Sequence, residues 1–262
     1  MSAPLMKMMI LAPRRAGMSH ADFRRYVVDV HGPLVRSIPE VAADIRHYHY
    51  NFPVAGAADS ALLHPLADHL DIVTQGWFDS VAAQRANMRH AHYLQVVRPD
   101  EGRFADETNA LMHYTSEHLA SEHVASEHVA GEHVASGRGA GDRGPPPYKV
   151  FWFRRRRSTL SRATFQRAWR ERYAPALAAA ARAGGLPGRC VLNEVLAEQE
   201  HPDGANPRYY DVIDELGLPS PGALANLRSD ESRLAALRAL GAELLEPGRT
   251  RALLTETVVN IP

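Results

Sequence analysis

Histidine is the residue type in this sequence that offers chemistry most directly, because an imidazole can accept or donate a proton near neutral pH. Fourteen histidines occur in the 262 residues, and ten of them lie in residues 1–120. His31 follows Tyr26 in an amphipathic segment. His47 and His49 alternate along a segment rich in β-forming residues. We therefore predict four catalytic acid–base residues: Tyr26, His31, His47 and His49.

The periodicity of these two segments decides which candidates can meet. His31 shares an apolar helical stripe with Val27 and Val30, so its ring must find a polar partner or line a cavity. A hydrogen-bonded core histidine near a kinked helix end is the alternative to a catalytic one. His47 and His49 share one face of a strand. If this face looks towards the helices, both rings share a pocket with His31; if it looks towards a partner sheet, they fill the interior.

Larger side chains near the histidines predict where a flat ligand would bind. The expected substrate-binding residues are Phe23, Tyr48, Asn51 and Trp77. Trp77 also has the position of a residue that seals the core at the entry to a helix. His47 and His49, with Asp71 on a neighbouring strand, have the composition of a facial metal site. We nevertheless expect no metal and no cofactor. The single cysteine, Cys190, excludes a multi-cysteine metal site, and without a glycine-rich phosphate loop a nucleotide cofactor has no support.

Composition excludes several classes of function. Thirty basic and thirty acidic side chains cancel, which argues against binding nucleic acid through bulk charge. The apolar run at residues 8–12 is far shorter than the roughly 20 residues of a membrane span, so we expect a cytoplasmic protein without a membrane segment. The arginine run at residues 154–157 could hold an anion or a second subunit, but a solvated loop is the commoner outcome.

The chain repeats itself. An offset of 142 residues places Lys7 over Lys149 and His31 over Tyr173, and an offset of 140 places Asp71 over Asp211. The closing segments align at an offset of 139. These offsets predict two domains, at residues 5–120 and 148–262, joined by a linker at residues 121–147.

A five-residue repeat, SEHLA-SEHVA-SEHVA-GEHVA, occupies residues 116–135 and enters the linker. Five residues advance about 140° around a helix, so the repeated histidines do not gather at one ion. We therefore predict a solvated linker rich in histidine, glycine and proline. Which pentad closes the sheet of the first domain stays open.

Each repeat predicts the element order β-α-β-β-α-β. In the first repeat Ser19 caps an amphipathic helix that runs to about residue 34, and Asp79 or Ser80 caps a second helix that ends near His92. This order is that of a ferredoxin-like α+β unit. Its bare sheet face must be covered. We therefore predict two tandem units whose sheets pack face to face as one intramolecular α+β barrel.

Three segments of the first repeat carry a recognisable pattern: GMSHADFRRY at residues 17–26, VHGPLV at 30–35 and WFDS at 77–80. They resemble the EthD domain family of the dimeric α+β barrel superfamily. The resemblance is weaker over residues 148–262. It implies a ferredoxin-like fold, barrel formation by paired sheets, and roles in ether degradation or as decarboxylases and oxygenases of aromatic polyketides. It implies no agreed set of catalytic residues.

We therefore expect a cofactor-independent enzyme of the oxygenase, decarboxylase or cyclase type, acting on a small aromatic or polyketide-like acid or in ether degradation. Two alternatives stay open: a non-catalytic small-molecule-binding or accessory protein, and a haem-binding barrel with an axial histidine. The expected partner is a small aromatic substrate rather than nucleic acid or a membrane. The expected assembly is a monomeric pseudo-dimer or a homodimer.

Overall fold

The structure, a computed structural model, describes residues 4–56, 64–65, 67, 69–122, 145–184, 189–196, 209–227 and 231–262. Residues 123–144, which hold most of the predicted linker, lie outside this part of the chain. The first histidine pentad lies inside it, in strand β4 (Leu111–Glu122), which pairs with strands of both repeats. None of the helices described is long and apolar enough to cross a membrane.

Both repeats fold as the predicted ferredoxin-like α+β unit. The first repeat contributes β1 (Met6–Ala12), β2 (His47–Pro53), β3 (Ile72–Phe78) and β4, and the second contributes β5 (Tyr148–Arg154), β6 (Arg189–Val195), β7 (Val212–Leu218) and β8 (Arg251–Ile261). The strand order is β1-β3-β2-β8-β5-β7-β6-β4, and the sheet closes into one barrel. Antiparallel pairing of β2 with β8 and of β4 with β6 joins the two repeats. The predicted intramolecular barrel is therefore confirmed.

The helices of each repeat pack on one face of its sheet, and the other face looks into the barrel. The first repeat has α1 (His20–Tyr26), α2 (Gly32–Ser37), α3 (Pro39–Ala42), α4 (Val81–Asn87) and α5 (Arg98–Phe104). The second has α6 (Arg162–Ala168), α7 (Ala174–Ala183), a 3₁₀ turn (Pro221–Ala223), α8 (Leu224–Leu227) and α9 (Glu231–Leu244).

Three π-helical turns share one cause in the sequence. They span Val27–His31, Tyr93–Val97 and Trp169–Tyr173, and each is followed by a proline at its second position downstream, which is Pro33, Pro99 and Pro175 respectively. Proline has no N–H to donate. The residue before each proline donates instead to the carbonyl five positions back, as Gly32 does to Val27. Each helix therefore accommodates one extra residue without breaking.

The first π turn corrects the predicted buried stripe. Val30, which the sequence analysis places on this stripe, is 45% exposed, whereas Val27 and His31 are buried. Gly32 follows immediately, where an added Cβ would lie 2.8 Å from the Asn260 Oδ1 atom of β8. The glycine therefore lets the helix approach the closing strand of the other repeat.

The second helical region of the first repeat extends beyond the predicted end near His92. It continues through the π turn at Tyr93–Val97 into α5, which ends at Phe104. Pro99 lies in the first turn of α5, where a missing N–H breaks no helical hydrogen bond. The predicted end near His92 lies before the π turn, so the prediction leaves out the helical residues 93–104.

Strand pairing fixes the internal symmetry of the barrel. Lys7 lies opposite Thr115, and Lys149 lies opposite Thr255. The closing strands are therefore equivalent at an offset of 140 (255 − 115), and the predicted offset of 139 is wrong by one residue. In each repeat the threonine hydroxyl donates to the carbonyl of the opposite lysine, at 3.0 and 3.1 Å.

The barrel interior has an apolar part and a polar part. Met9, Leu11, Phe151 and Phe153 belong to the apolar part. In the polar part, Lys7 Nζ lies 2.6 Å from Glu215 Oε1, and Lys149 Nζ donates to Gln75 Oε1 at 2.6 Å. Burial alone would raise the pKa of Glu215, but Lys7 and Lys149 lower it to about 2. The buried charges are thus paired, as a dry interior requires.

Candidate functional site

A cavity of about 260 Å³ lies between the helices and the sheet of the first repeat. Its volume is a little below the roughly 300–1,000 Å³ of ordinary small-molecule sites. Apolar and aromatic side chains supply most of its wall, with few polar groups among them. The residues that define it are Ile10, Val27, His31, Tyr48, Tyr50, Thr74, Phe104 and Met112. The cavity therefore suits one small, flat and largely apolar ligand.

His31 and Tyr26 meet at one carboxylate, that of Asp100. The His31 Nδ1 atom lies 3.0 Å from Asp100 Oδ2, and the Tyr26 hydroxyl donates to Asp100 Oδ1 at 2.5 Å. His31 and Asp100 are only 4% and 5% exposed. A carboxylate accepts hydrogen bonds, so Nδ1 carries the proton and Nε2 presents a lone pair. Such a carboxylate fixes the tautomer and orientation of an imidazole.

Burial holds His31 in the neutral form. It lowers the pKa of His31 below the ordinary value of 6.5, while the hydrogen bond to Asp100 acts in the opposite direction. Burial also raises the pKa of Tyr26, and Asp100 raises it further. Near neutral pH the site therefore offers an unprotonated imidazole nitrogen beside protonated tyrosine hydroxyls. This is the arrangement of a general base.

The rim of the cavity carries more negative than positive charge. Glu101 and Glu107 line it on one side, and both pair with Arg98, with a distance of 3.0 Å between Arg98 Nη1 and Glu101 Oε2. The hydroxyl of Tyr93 donates to Glu101 Oε1 at 2.7 Å. With Asp100 behind His31, three carboxylates surround the cavity against one arginine. This balance opposes an anionic ligand.

Asp100 is the functional residue that the sequence analysis missed. The predicted second helix ends near His92, so Asp100 has no element to place it. A signal was present, because Pro99 followed by Asp100 and Glu101 is typical of the first turn of a helix. Continuing the helical phase beyond this proline would have placed Asp100 on a helix packed beside α1.

The remaining predicted residues separate into two groups, and the first group stays near the cavity. Tyr48 lines it directly. Phe23 is buried behind it, with ring centroids 5.9 Å from Phe104 and 6.2 Å from Phe52. Tyr50 lines the cavity beside Tyr48, as the two-residue period of β2 dictates.

The second group faces away from the cavity, so the structure does not bring His47 and His49 to His31. Because Tyr48 and Tyr50 face the helices, the alternate residues of β2 face the other side of the sheet. His49 and Trp77 meet there with ring centroids 4.8 Å apart, and Asn51 donates to Gln75 Oε1 at 3.1 Å. His47 lies beside them at the exposed start of the strand.

Trp77 and Asn51 therefore belong to the polar interior of the barrel rather than to the ligand cavity. Trp77 donates to Glu117 Oε2 at 2.8 Å, and Lys7 Nζ lies 4.8 Å from the centre of its ring. Burial lowers the pKa of His49 to about 3, helped by the charges of Lys149 and neighbouring groups. A four-residue catalytic group of Tyr26, His31, His47 and His49 does not assemble.

The residues described do not fit a metal or a haem. No three His, Cys, Asp or Glu side chains among them gather around one point. Asp71, the third ligand of the predicted facial site, accepts from the Arg14 backbone N–H at 2.8 Å and pairs with the Arg14 guanidinium. A porphyrin has no room in a cavity of about 260 Å³ beside His31.

The second repeat has an equivalent opening with different chemistry. Its volume is about 400 Å³, and Tyr173, Arg238 and Gly241 line it where the first repeat has His31, Arg98 and Glu101. Leu240 takes the position of Asp100. The second repeat therefore lacks the carboxylate that would hold a base.

Bulky side chains fill the inner part of this second opening. Trp152 and Trp169 replace Ile10 and Val27, and both are fully buried. Arg154 and Asp214 replace Ala12 and Thr74 and form an ion pair of 2.7 Å under Trp169, whose Nε1 donates to Asp214 at 2.9 Å. Ligand space there begins farther out, at Arg154 and Tyr173.

Comparison with solved structures defines the fold class. An anthrone oxidase-like protein is 13% identical over 98% of this chain and 94% of that chain, with a TM-score of 0.60. A proposed monooxygenase from Fusobacterium nucleatum is 6% identical over 100% and 96%, with a TM-score of 0.57. A proposed chlorite dismutase is 11% identical over 98% and 96%, with a TM-score of 0.51. The protein is thus an α+β barrel of the dimeric type, here made by one chain.

The family follows from the sequence of the first repeat. The model of the EthD domain matches residues 15–108, a segment that contains both His31 and Asp100. The predicted resemblance to the EthD domain is therefore confirmed for this segment of the first repeat. Among curated protein sequences no match was found.

Proposed function

We propose that the first repeat is a cofactor-independent enzyme that removes a proton from a small aromatic substrate, with His31 as the general base. One observation carries the proposal. A buried imidazole, bonded through Nδ1 to Asp100 at 3.0 Å, lines a cavity of about 260 Å³ that is otherwise mainly aromatic and apolar. A core histidine that only satisfies a carboxylate has no need of a cavity beside its ring.

The chemical step uses the two nitrogens differently. His31 Nε2 takes a proton from an activated C–H or phenol O–H of the substrate, and the electron pair of that bond stays on the substrate as a delocalised anion. The imidazole becomes positively charged, and the Asp100 carboxylate stabilises that charge. Asp100 is therefore a positioning residue, since it acts through His31.

The charges around the cavity favour a neutral substrate. Asp100, Glu101 and Glu107 oppose a carboxylate group, and Arg98 is already paired with two of them. The carboxylic acid that the sequence analysis expects is thus less suited to this cavity than a neutral carbon acid or phenol. This difference favours oxygenation or cyclisation over decarboxylation.

Oxygenation is the reaction class that we propose. The substrate anion transfers electrons to O₂ and forms a carbon–oxygen bond, the resulting peroxide takes a proton, and loss of water leaves a carbonyl group. O₂ is the oxidant, so no protein-bound redox group is required. Anthrones are neutral carbon acids of this kind, and an anthrone oxidase-like protein shares the fold.

The test separates binding from turnover. Anthrones, naphthols and simple phenols are first screened for binding by calorimetry, and then for O₂ consumption and product mass. We expect His31→Gln to bind a substrate normally but to lose 10²- to 10⁴-fold in kcat, the usual contribution of a positioned base. His92→Gln, a change at an exposed histidine, is the matched control. If the unchanged protein binds ligands but turns over none of them, the result would instead support an accessory binding protein.

The pH profile tests the role of Asp100. The base must be unprotonated, so kcat/KM falls as the pH drops through the pKa of His31, which burial places below 6.5. The Asp100 hydrogen bond raises that pKa. Asp100→Asn should therefore move the acid limb to lower pH and reduce kcat by about 10- to 100-fold. An acid limb that does not move would contradict the assigned pair.

A further inference from the structure

The arginine run at residues 154–157 resolves into four different environments. Arg154 pairs with the buried Asp214, and Arg156 pairs with Asp211 at 3.0 Å. Arg157 donates to the Ala242 carbonyl at 2.9 Å. The remaining member, Arg155, lines a separate cavity of about 660 Å³. Of its lining residues, only Leu111 also lines the cavity beside His31.

The cavity lies at one end of the barrel and is shared by both repeats. Here β1 and β5 end, and β3, β4, β7 and β8 begin. Five arginines and two aspartates line it. The two aspartates are already engaged, Asp71 by Arg14 and Asp106 by the side-chain amide of Asn109 at 2.7 Å. The cavity therefore carries excess positive charge.

The internal symmetry of the chain shows where this charge comes from. At four pairs of equivalent positions both residues line the cavity. In three of them the second repeat has arginine where the first has an uncharged residue: Pro13 and Arg155, Asn109 and Arg249, and Leu111 and Arg251; the fourth pair is Leu70 and Tyr210. The excess is thus a difference between the repeats that is concentrated in this cavity. A surface selected only for solubility gives no reason for three such differences to meet in one cavity.

Backbone carbonyls hold one of these arginines in place. Arg251 donates to the carbonyls of Gly248 and Thr250 at 2.8 and 2.9 Å, which orients its guanidinium but does not neutralise it. Tyr210 lies within the field of the same arginines: burial raises its pKa, and Arg251, Arg155 and Arg249 each act to lower it. Three guanidinium groups therefore lie near enough to Tyr210 to act on its pKa, and all three line the cavity.

We propose that this cavity binds a small molecule that carries at least two anionic groups of the phosphate or carboxylate type. Guanidinium groups match the two oxygens of such groups in a fork-like arrangement. The volume of about 660 Å³ lies within the usual range of ligand sites. Leu70, Leu111 and Tyr210 supply an apolar part for the body of the ligand. The site is the reverse in charge of the His31 cavity, so the two take different ligands.

Calorimetric titration of the full chain with inorganic pyrophosphate and with citrate tests the proposal. The variants Arg249→Asn and Arg251→Leu copy the residues of the first repeat. Each should weaken binding of the preferred anion by about tenfold or more, because each removes a charged hydrogen-bonding partner. Arg167→Gln, at an exposed helical position, should leave binding unchanged.

The two anions separate the two ligand chemistries, since tighter binding of pyrophosphate assigns phosphate and tighter binding of citrate assigns carboxylate. Arg249 is exposed, so its replacement tests the site even where Arg251→Leu alters the barrel. Absence of binding of both anions to the unchanged protein would overturn the proposal. Equal binding by the unchanged protein and by Arg249→Asn would also overturn it.

Discussion

The two repeats present the same opening between helices and sheet, yet only the first has the groups of a catalytic base. Tyr173 occupies the position of His31, and Leu240 that of Asp100. Trp152 and Trp169 fill the space that Ile10 and Val27 leave open. The backbone is thus similar in the two halves, while a few inner side chains decide whether the inner part of the opening holds a histidine–carboxylate pair or bulky packed rings. Substitutions that exchange residues between the halves can therefore test this difference.

The largest expected effect comes from exchanging the two aromatic rings. His31→Tyr should reduce turnover by 10²- to 10⁴-fold, because the phenol that replaces the imidazole is not a base near neutral pH. Tyr173→His should change turnover little, since Leu240 offers no carboxylate to orient the new ring. Steady-state kinetics with a substrate from the binding screen measures both. Similar losses from the two exchanges would mean that both openings take part in the reaction.

A smaller effect is expected on the free energy of unfolding, from a buried ion pair in the second repeat. Arg154→Met leaves Asp214 buried without its partner, and burial raises the pKa of that carboxyl. We expect a loss of about 3–5 kcal/mol in the free energy of unfolding. Urea denaturation measures it. The double variant Arg154→Met with Asp214→Leu should recover most of the loss, and a double variant as unstable as the single one would refute the ion-pair explanation.

The smallest effect is a pH-dependent change in the free energy of unfolding. It comes from two buried histidines of the first repeat that the second repeat does not have at the equivalent positions. Burial lowers the pKa of His113 to about 3, and that of His49 is lowered to a similar value. The second repeat has Leu253 and Val191 at these positions. Both histidines are neutral in the folded state but take up protons in the unfolded state below about pH 6.5. Stability should therefore fall as the pH drops from 6.5 towards 3.

The variants His113→Leu and His49→Val copy the second repeat and should each remove part of this pH dependence. At pH 5 the expected difference is at most about 2 kcal/mol for each histidine, and it vanishes above pH 7. Urea midpoints at pH 7.5 and pH 5 measure it. A stability that is as sensitive to acid in the double variant as in the unchanged protein would show that other groups cause the acid sensitivity.

Much of the fold could be predicted from periodicity because the chain repeats itself. Each element is indicated twice, as with Lys7 and Lys149 at the start of equivalent strands, and the second copy corrects ambiguity in the first. The sheet faces are harder. The alternation of His47 and His49 shows that they share a face, but only the helix-facing positions of Tyr48 and Tyr50 decide which face it is.

The candidate site could be predicted only in part, because a pair of residues far apart in sequence is set by packing. His31 follows from its helical phase and its polarity. Its partner Asp100 lies 69 residues away on a segment that starts with a proline-containing turn. No local pattern in α1 indicates which residue of α5 faces it. The pairing therefore emerges only once both helices are placed on the sheet.

The π turn at Val27–His31 determines the angular setting of the base. An α-helix advances about 100° per residue, so deleting one residue from this turn, such as Val30, would make the helix regular and rotate everything before the turn by about 100° relative to everything after it. Phe23 and His31 could then no longer face the sheet together. The exposed Val30 is thus a spacer: its presence in the turn, and not its side chain, keeps the His31 ring on the buried side of the helix.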